Sequence, residues 1–168
     1  MLVAAPPPGY ARVRAVTSQD LVAWFIEIGT RAKWDHVEAV LPGGSIIAAH
    51  AQGGVQRCVS GYDTETTAQI VLDVPMAPDM LAKWVAYLES RIGAPYDMGA
   101  IVEFVSGFGA LHVNADYICS ALTILSFRHS GTIQNPLAEG AHMFSPRDVV
   151  LVLSALPGVV VHPVEYRT

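Results

Sequence analysis

Three side chains of this sequence, Cys119, His36 and His50, are of the types that carry out nucleophilic catalysis. Cys119 lies near the start of a nearly apolar run that predicts a helix over residues 116–127. Unpaired N–H groups and the positive end of the helix dipole favour a thiolate in a first turn and can hold an oxyanion. The sequence therefore predicts a lowered pKa for the Cys119 thiol. A small buried hydrophobe is the structural alternative at the same position.

The two histidines belong to a predicted β-hairpin formed by residues 34–41 and 45–51. Pro42-Gly43-Gly44 suits a three-residue turn whose last glycine takes the left-handed position. Counting back from that turn places His36 directly opposite His50 on one face, where one ring can orient the other. A two-residue turn would instead separate the rings. His36 is therefore the predicted base and acid for the cysteine, and His50 its orienter.

The remaining pattern predicts helices and strands that segregate along the chain. The predicted strands are residues 11–16 at a sheet edge, 55–62, 68–74 and the tail; the predicted helices begin at Thr17-Ser18-Gln19-Asp20, at Pro78 and at Ser145-Pro146-Arg147-Asp148. Gly131 is a plausible stop for the cysteine helix. We expect an α+β fold with a central antiparallel sheet flanked by helices. With no repeat or linker, residues 1–168 are predicted to form one domain.

Composition excludes several classes of protein. The chain has 168 residues, of which 52% are hydrophobic and 15% charged, too apolar for a disordered protein. A net charge of −5 disfavours nucleic acid as a partner. The longest nearly apolar stretch, residues 149–161, is interrupted by Pro157 and Gly158 and is too short to span a bilayer. No signal peptide is recognised, so a cytoplasmic or virion-associated location is predicted.

Five segments together resemble the NlpC-type papain-like superfamily in its circularly permuted, YiiX-like branch. WDHVEAVLPGGSIIAAHAQGGV resembles the histidine hairpin of that superfamily, and YICSALTILSF resembles its aromatic-x-Cys-Ser-Glu helix start. Both histidines precede the cysteine, as in the permuted branch. Weaker matches are the apolar segment before Trp34, GAPYD at 93–97 and FSPRD at 144–148, so the resemblance spans about residues 18–150.

The resemblance implies a papain-like fold with Cys119 as nucleophile, His36 as base and acid, and His50 as third member. It also implies an amidase or peptidase that works through a thioester, with the peptide stems of bacterial cell wall as substrate class and no cofactor. A compact chain of this kind fits a phage-encoded or an intracellular protein. Two departures are Ala121, which replaces the usual glutamate after Cys-Ser, and His50, which replaces a frequent glutamate.

Several alternatives and weaker candidates accompany this interpretation. A lecithin:retinol acyltransferase-like enzyme has two histidines before the cysteine, and a binding or structural module on the same fold would need no chemistry. Zinc bound by the two histidines and the cysteine is a third possibility. Tyr117 and Tyr96 are candidate substrate-binding residues that could donate to an oxyanion. Cys58 is predicted to pack and to alkylate more slowly than Cys119, and Glu38 either tunes His36 or lies at a solvated rim.

Overall fold

The computed structural model describes residues 1–18, 33–63, 65–97, 118–134 and 144–167. The helix predicted from Thr17-Ser18-Gln19-Asp20 lies largely outside these ranges. Within them, the strands are β1 (Tyr10–Thr17), β2 (His36–Val40), β3 (Ile46–His50), β4 (Gly54–Cys58), β5 (Ala68–Pro75), β6 (Val160–Val161) and β7 (Glu165–Tyr166). The helices are α1 (Pro78–Ser90), α2 (Cys119–Ser130) and α3 (Pro146–Ser154).

The strands of the described ranges form one antiparallel sheet in the order β4-β3-β2-β1-β5-β6, with β7 also paired to β5. Helix α2 packs against β2 and β3, α1 packs against α2, and α3 contacts β5 and α2. The predicted α+β class, with a central antiparallel sheet flanked by helices, is confirmed. The cysteine helix thus packs directly against the histidine hairpin.

Strand β1 does not lie at the sheet edge where it was predicted, because it pairs with β2 on one side and β5 on the other. The predicted edge position was therefore wrong, and the arginines of this strand, Arg12 and Arg14, do not face solvent. Both arginines are buried and paired: Arg12 donates to both oxygens of Asp73 at 2.7 and 2.8 Å. Compensated charge thus allows a central position for a strand with two arginines.

Alternation along the strands gives the sheet two different faces. On the helix face, apolar side chains of the sheet pack against apolar side chains of α1, α2 and α3. The fully buried residues of this core include Val13, Val37, Ile47 and Leu72 from the strands and Trp84, Leu122, Phe127 and Leu153 from the helices. The opposite face, called the polar face below, carries Arg12, Arg14, Glu38, Gln69 and Asp73, which are all buried as well. Small apolar clusters around Val40 and Ile46 complete the polar face.

The first five residues cover part of the polar face through main-chain contacts. The carbonyls of Ala4 and Ala5 accept from Arg12 Nη1 at 2.8 and 3.1 Å, and the carbonyl of Met1 accepts from Arg14 Nη2 at 3.3 Å. The N–H of Val3 donates to Ser60 Oγ at 2.9 Å. Backbone carbonyls therefore supply acceptors that the buried guanidinium groups would otherwise lack.

The helix ends follow local sequence signals. Gly131 adopts the left-handed conformation after α2, with φ of 86°, and its N–H donates to the carbonyl of Arg128, so the predicted stop is confirmed. Ser145 and Asp148 form a capping box at the start of α3. Helix α2 begins at Cys119 rather than at the predicted residue 116, which makes the cysteine its first residue.

Candidate active site

The hairpin that carries the two histidines has the predicted three-residue turn. The N–H of Leu41 donates to the carbonyl of Ser45 at 2.8 Å, and the N–H of Gly44 donates back to the carbonyl of Leu41 at 2.8 Å. Gly44 takes a φ of +80°, the left-handed conformation that glycine adopts at little cost. The local sequence thus fixes the length of the turn, and with it the register of β2 against β3.

That register places the two imidazole rings side by side. Ala39 pairs with Ile47, and the same count brings His36 opposite His50. The ring centroids of the histidines are 5.0 Å apart, with a tilt of 33° between the ring planes. The predicted pairing of the two rings on one face is confirmed. The contact is between ring faces, and His50 directs its Nε2 toward another partner, Tyr62.

Cys119 lies in the helix face, where its side chain is only 3% exposed. Burial raises the pKa of the Cys119 thiol, the charge of Asp35 adds to the rise, and the nearby backbone N–H groups of Val37, Ser120 and Cys119 oppose it. Burial is the largest effect, and the pKa of Cys119 rises to about 12. The predicted lowering of this pKa was therefore wrong: desolvation outweighs the helix-end N–H groups that the sequence indicated.

His36 and Cys119 lie on opposite faces of the sheet, because His36 shares the polar face with Glu38 while Cys119 packs in the helix-face core with Val37. The thiol meets the N–H of Val37, the residue directly after His36. The His36 ring instead contacts His50, and its Nε2 lies 3.9 Å from Glu38 Oε1. Among the described residues no hydrogen bond joins the thiol to the ring, and His36 Nε2 is buried without a hydrogen-bond partner. Burial and the neighbouring His50 lower the pKa of His36 to about 3.

Tyr62 and Arg14 are part of this site, although the sequence did not single them out. Tyr62 donates to Glu38 Oε1 at 2.5 Å and lies 3.2 Å from His50 Nε2. Arg14 Nη1 donates to Glu38 Oε2 at 3.0 Å. The available signal was an arginine between the small apolar residues Val13 and Ala15, since such a residue requires an acceptor if the strand is central.

Glu38 is fully buried, with an exposed fraction of 0%, so the solvated-rim alternative was wrong. Burial raises the pKa of Glu38, and the Arg14 guanidinium and the Tyr62 hydroxyl oppose that rise. A buried guanidinium carries its charge at any ordinary pH and needs a carboxylate counterion. Burial also lowers the pKa of His50 and, together with Glu38, raises that of Tyr62. The hydroxyl of Tyr62 therefore stays protonated beside the carboxylate.

Two of the family-like segments meet next to the histidine hairpin. Gly54, opposite His50 in the β3–β4 register, has a φ of +69°, and a Cβ there would lie 2.1 Å from the carbonyl oxygen of Ala94. The N–H of Val55 donates to that oxygen at 2.8 Å. Glycine is thus required for the 93–97 segment to approach the hairpin. The candidate Tyr96 in this segment packs against the helix-face core.

Other predicted site features fall elsewhere. Tyr117 lies outside the described residues. Cys58 packs with Tyr62 at the polar face, as predicted, and burial raises the pKa of its thiol. Within the described ranges no group of three or more histidine, cysteine or acidic side chains is arranged to hold a metal ion, so we derive no step through zinc. No helix in those ranges is long and apolar enough to cross a membrane.

Comparison with solved structures finds a clear fold relative. The chain is similar to the crystal structure of the metalloprotein YiiX from Escherichia coli O157:H7, with a TM-score of 0.63 and 14% sequence identity. The match covers 95% of this chain and 99% of the YiiX chain. No protein-family model matches the sequence, and no curated protein matches it. The likeness gives the chain a YiiX-like, papain-like fold.

Proposed function

We propose that the protein is a cysteine-dependent hydrolase of the amidase or peptidase class, in the permuted NlpC-type branch, with Cys119 as nucleophile and His36 as base. The observation that carries this proposal is the position of the sulfur. Cys119 is the first residue of α2 in a YiiX-like fold, and its thiol lies at the N–H of the residue that follows His36. A nucleophile at a helix start beside a histidine strand fits acyl transfer.

Both reacting groups are neutral before substrate binds. The pKa of the Cys119 thiol is about 12 and that of His36 about 3, so no thiolate–imidazolium pair forms in advance at neutral pH. The thiol proton must therefore leave as the sulfur attacks the acyl carbon, and His36 accepts it only if a rearrangement at the start of β2 brings its ring from the polar face to the helix face. The S–C bond forms, the C–N bond breaks, and His36 returns its proton to the leaving amine. Water then hydrolyses the thioester with His36 as base.

The backbone N–H groups of Val37 and Ser120 are well placed for charge stabilisation, because they already donate toward the Cys119 sulfur. Fixed N–H donors stabilise negative charge that develops at the sulfur without reorganisation. The peptide stems of bacterial cell wall are the proposed substrate class, and a phage-encoded origin fits a cell-wall hydrolase. The substrate class rests on the resemblance of the sequence to the NlpC-type superfamily, and the phage origin rests on the compactness of the chain.

Two other functions have specific support. A non-catalytic module is favoured by the burial and high pKa of Cys119 and by Ala121, which replaces a glutamate of the resembling family. A lecithin:retinol acyltransferase-like activity is favoured by the two neighbouring histidine rings. The enzyme hypotheses require an acyl group on the Cys119 sulfur, whereas the module does not.

The test measures acyl transfer and its site together. The protein is incubated separately with p-nitrophenyl acetate, a synthetic cell-wall stem peptide and phosphatidylcholine vesicles, and acyl adducts are located by mass spectrometry. We expect an adduct on Cys119 and turnover of the stem peptide. His36→Ala should lower the acylation rate by about 100- to 10,000-fold, as loss of a general base does. Vesicle turnover without peptide turnover would favour the acyltransferase-like activity.

Matched variants separate chemistry from folding. Cys58→Ala removes the other thiol, and His129→Ala removes an exposed histidine at the far end of the same helix, α2. Both controls should keep wild-type turnover, while Cys119→Ala should lose it. Turnover that persists in Cys119→Ala, or an adduct confined to Cys58, would contradict the assignment. No adduct with any substrate in a folded protein would favour the non-catalytic module.

A further inference from the structure

A continuous chain of polar contacts runs from the inside of the sheet to the histidine pair. Arg14 Nε donates to Gln69 Oε1 at 2.7 Å, and Arg14 Nη1 donates to Glu38 Oε2 at 3.0 Å. The other oxygen of Glu38 accepts from Tyr62 Oη at 2.5 Å, and Tyr62 Oη lies 3.2 Å from His50 Nε2. The links of Arg14 to Glu38 and Gln69 join buried side chains of neighbouring strands, and the buried Glu38 then anchors Tyr62.

The single proton of the Tyr62 hydroxyl gives this chain a direction. A phenol carries one proton, and here that proton is donated to the Glu38 carboxylate. The oxygen of Tyr62 is then left as an acceptor toward the imidazole of His50. A neutral His50 must therefore carry its proton on Nε2, and its Nδ1 must be the acceptor.

We propose that Tyr62, held by the buried Arg14–Glu38 pair, is a positioning residue that fixes the ring and the tautomer of His50 beside His36. The inference rests on the proposed hydrolase function and on the role of His50 as orienter of His36 that the sequence predicts. It extends that function by assigning Tyr62 as the residue that orients His50. The ring centroids of Tyr62 and His50 are 5.4 Å apart with an edge contact at 83°, so packing and hydrogen bonding restrict the same rotation.

Burial makes the arrangement rigid. Glu38 and Arg14 have exposed fractions of 0%, and the carboxylate is held from both sides by Arg14 and Tyr62. Polar groups that share a low-dielectric site strengthen one another, and each is costly to leave unpaired. Removal of the Tyr62 hydroxyl would leave the His50 Nε2–H without its acceptor, and the ring would gain freedom to turn away from His36.

The first measurement does not depend on activity. We expect histidine-ring nitrogen NMR at neutral pH to show His50 as the Nε2–H tautomer, with a proton that exchanges slowly with water. In Tyr62→Phe that proton should exchange too fast to observe, while Tyr166→Phe, an exposed tyrosine control, should match the wild type. A His50 that carries its proton on Nδ1, or an Nε2–H that stays slow in Tyr62→Phe, would overturn the inference.

The second measurement tests whether Tyr62 acts through His50. Tyr62→Phe should lower kcat about tenfold with KM nearly unchanged, and should have no further effect when His50→Ala is already present. A merely structural role would give additive losses in this double-mutant cycle, and additive losses would overturn the inference. If the NMR result holds but no variant or wild-type protein turns over substrate, the hydrolase proposal fails while the positioning of His50 stands.

Discussion

The two faces of the sheet are buried to a similar degree but by different means. On the helix face, aliphatic side chains such as Leu72 of β5 and Leu122 of α2 are buried between the sheet and the helices, and each contributes transfer free energy. On the polar face, Arg14 and Glu38 are as inaccessible as those leucines, and each depends on one particular partner. The helix face therefore tolerates substitution by similar residues, whereas the polar face requires complementary pairs. The candidate histidines lie beside the second kind of surface.

The largest expected effect comes from removal of one partner of the buried pair. Arg14→Ala leaves the Glu38 carboxylate buried without its counterion, which should lower the free energy of unfolding by about 3–5 kcal/mol. Urea denaturation measures it. The double variant Arg14→Met with Glu38→Leu should recover most of the loss, because apolar groups of similar volume need no compensation. A double variant as unstable as Arg14→Ala would show that the pair contributes more to the free energy of unfolding than the neutralisation of each charge by the other.

A cavity on the helix face should cost somewhat less. Leu122 is almost completely buried against the sheet, so Leu122→Ala should lower the free energy of unfolding by about 2–5 kcal/mol. Leu151→Ala, on the exposed side of α3, is the matched control and should change stability by less than about 0.5 kcal/mol. Equal losses for the two leucines would contradict the described packing.

The two thiols report on the two faces. Cys119 is buried in the helix face with a pKa near 12, while Cys58 at the polar face is partly exposed. Iodoacetamide at pH 7 should therefore label Cys58 at least tenfold faster than Cys119, the reverse of what the helix-start position predicts. Labelling of Cys119 should accelerate by about tenfold per pH unit up to pH 9, since only the thiolate reacts. A rate for Cys119 that levels off below pH 8 would indicate a preformed thiolate.

His36 gives the polar face a pH dependence that the aliphatic packing lacks. Its folded pKa of about 3 lies below the usual 6.5, so between these values the unfolded chain binds a proton that the folded protein does not. Stability should therefore fall as pH decreases through this window, with a slope that approaches about 1.4 kcal/mol per pH unit. Urea midpoints measured from pH 6.5 to 4.5 should show this slope reduced in His36→Gln and unchanged in His129→Gln.

The smallest effect belongs to an ion pair at the surface. Arg57 Nη2 and Glu89 Oε1 are 2.5 Å apart, yet both side chains are more than 40% exposed. Arg57→Ala should change the free energy of unfolding by no more than about 1 kcal/mol, and less in high salt. A loss comparable with that of Arg14→Ala would mean that burial is not what distinguishes the two pairs.

The sequence predicted the features that depend on neighbouring residues. The Pro42-Gly43-Gly44 turn sets the hairpin register and brings His36 opposite His50, and Gly131 ends the cysteine helix. Predictions from the sequence failed where a residue's burial or a strand's position depends on partners that are distant in sequence. Nothing near β1 in sequence shows that Asp73 will neutralise Arg12 and permit a central strand. The predicted lowering of the Cys119 pKa was wrong for the same reason, because the burial of the thiol comes from tertiary packing.

The arginines of β1 also bear on how the chain reaches its native state. The partners of Arg14 are distant in sequence: Glu38 is separated from it by 24 residues and Gln69 by 55 residues. Asp73, the partner of Arg12, is separated from it by 61 residues. Such non-local contacts are formed late and slow the folding of β-rich proteins. Before β5 pairs with β1, Arg12 lacks Asp73 and Arg14 lacks Gln69 as an acceptor. Burial of β1 in a partly formed sheet is therefore unfavourable. We therefore expect the polar face to make folding slow but cooperative. Partly assembled sheets, whose exposed edge strands could aggregate, should be rarely populated.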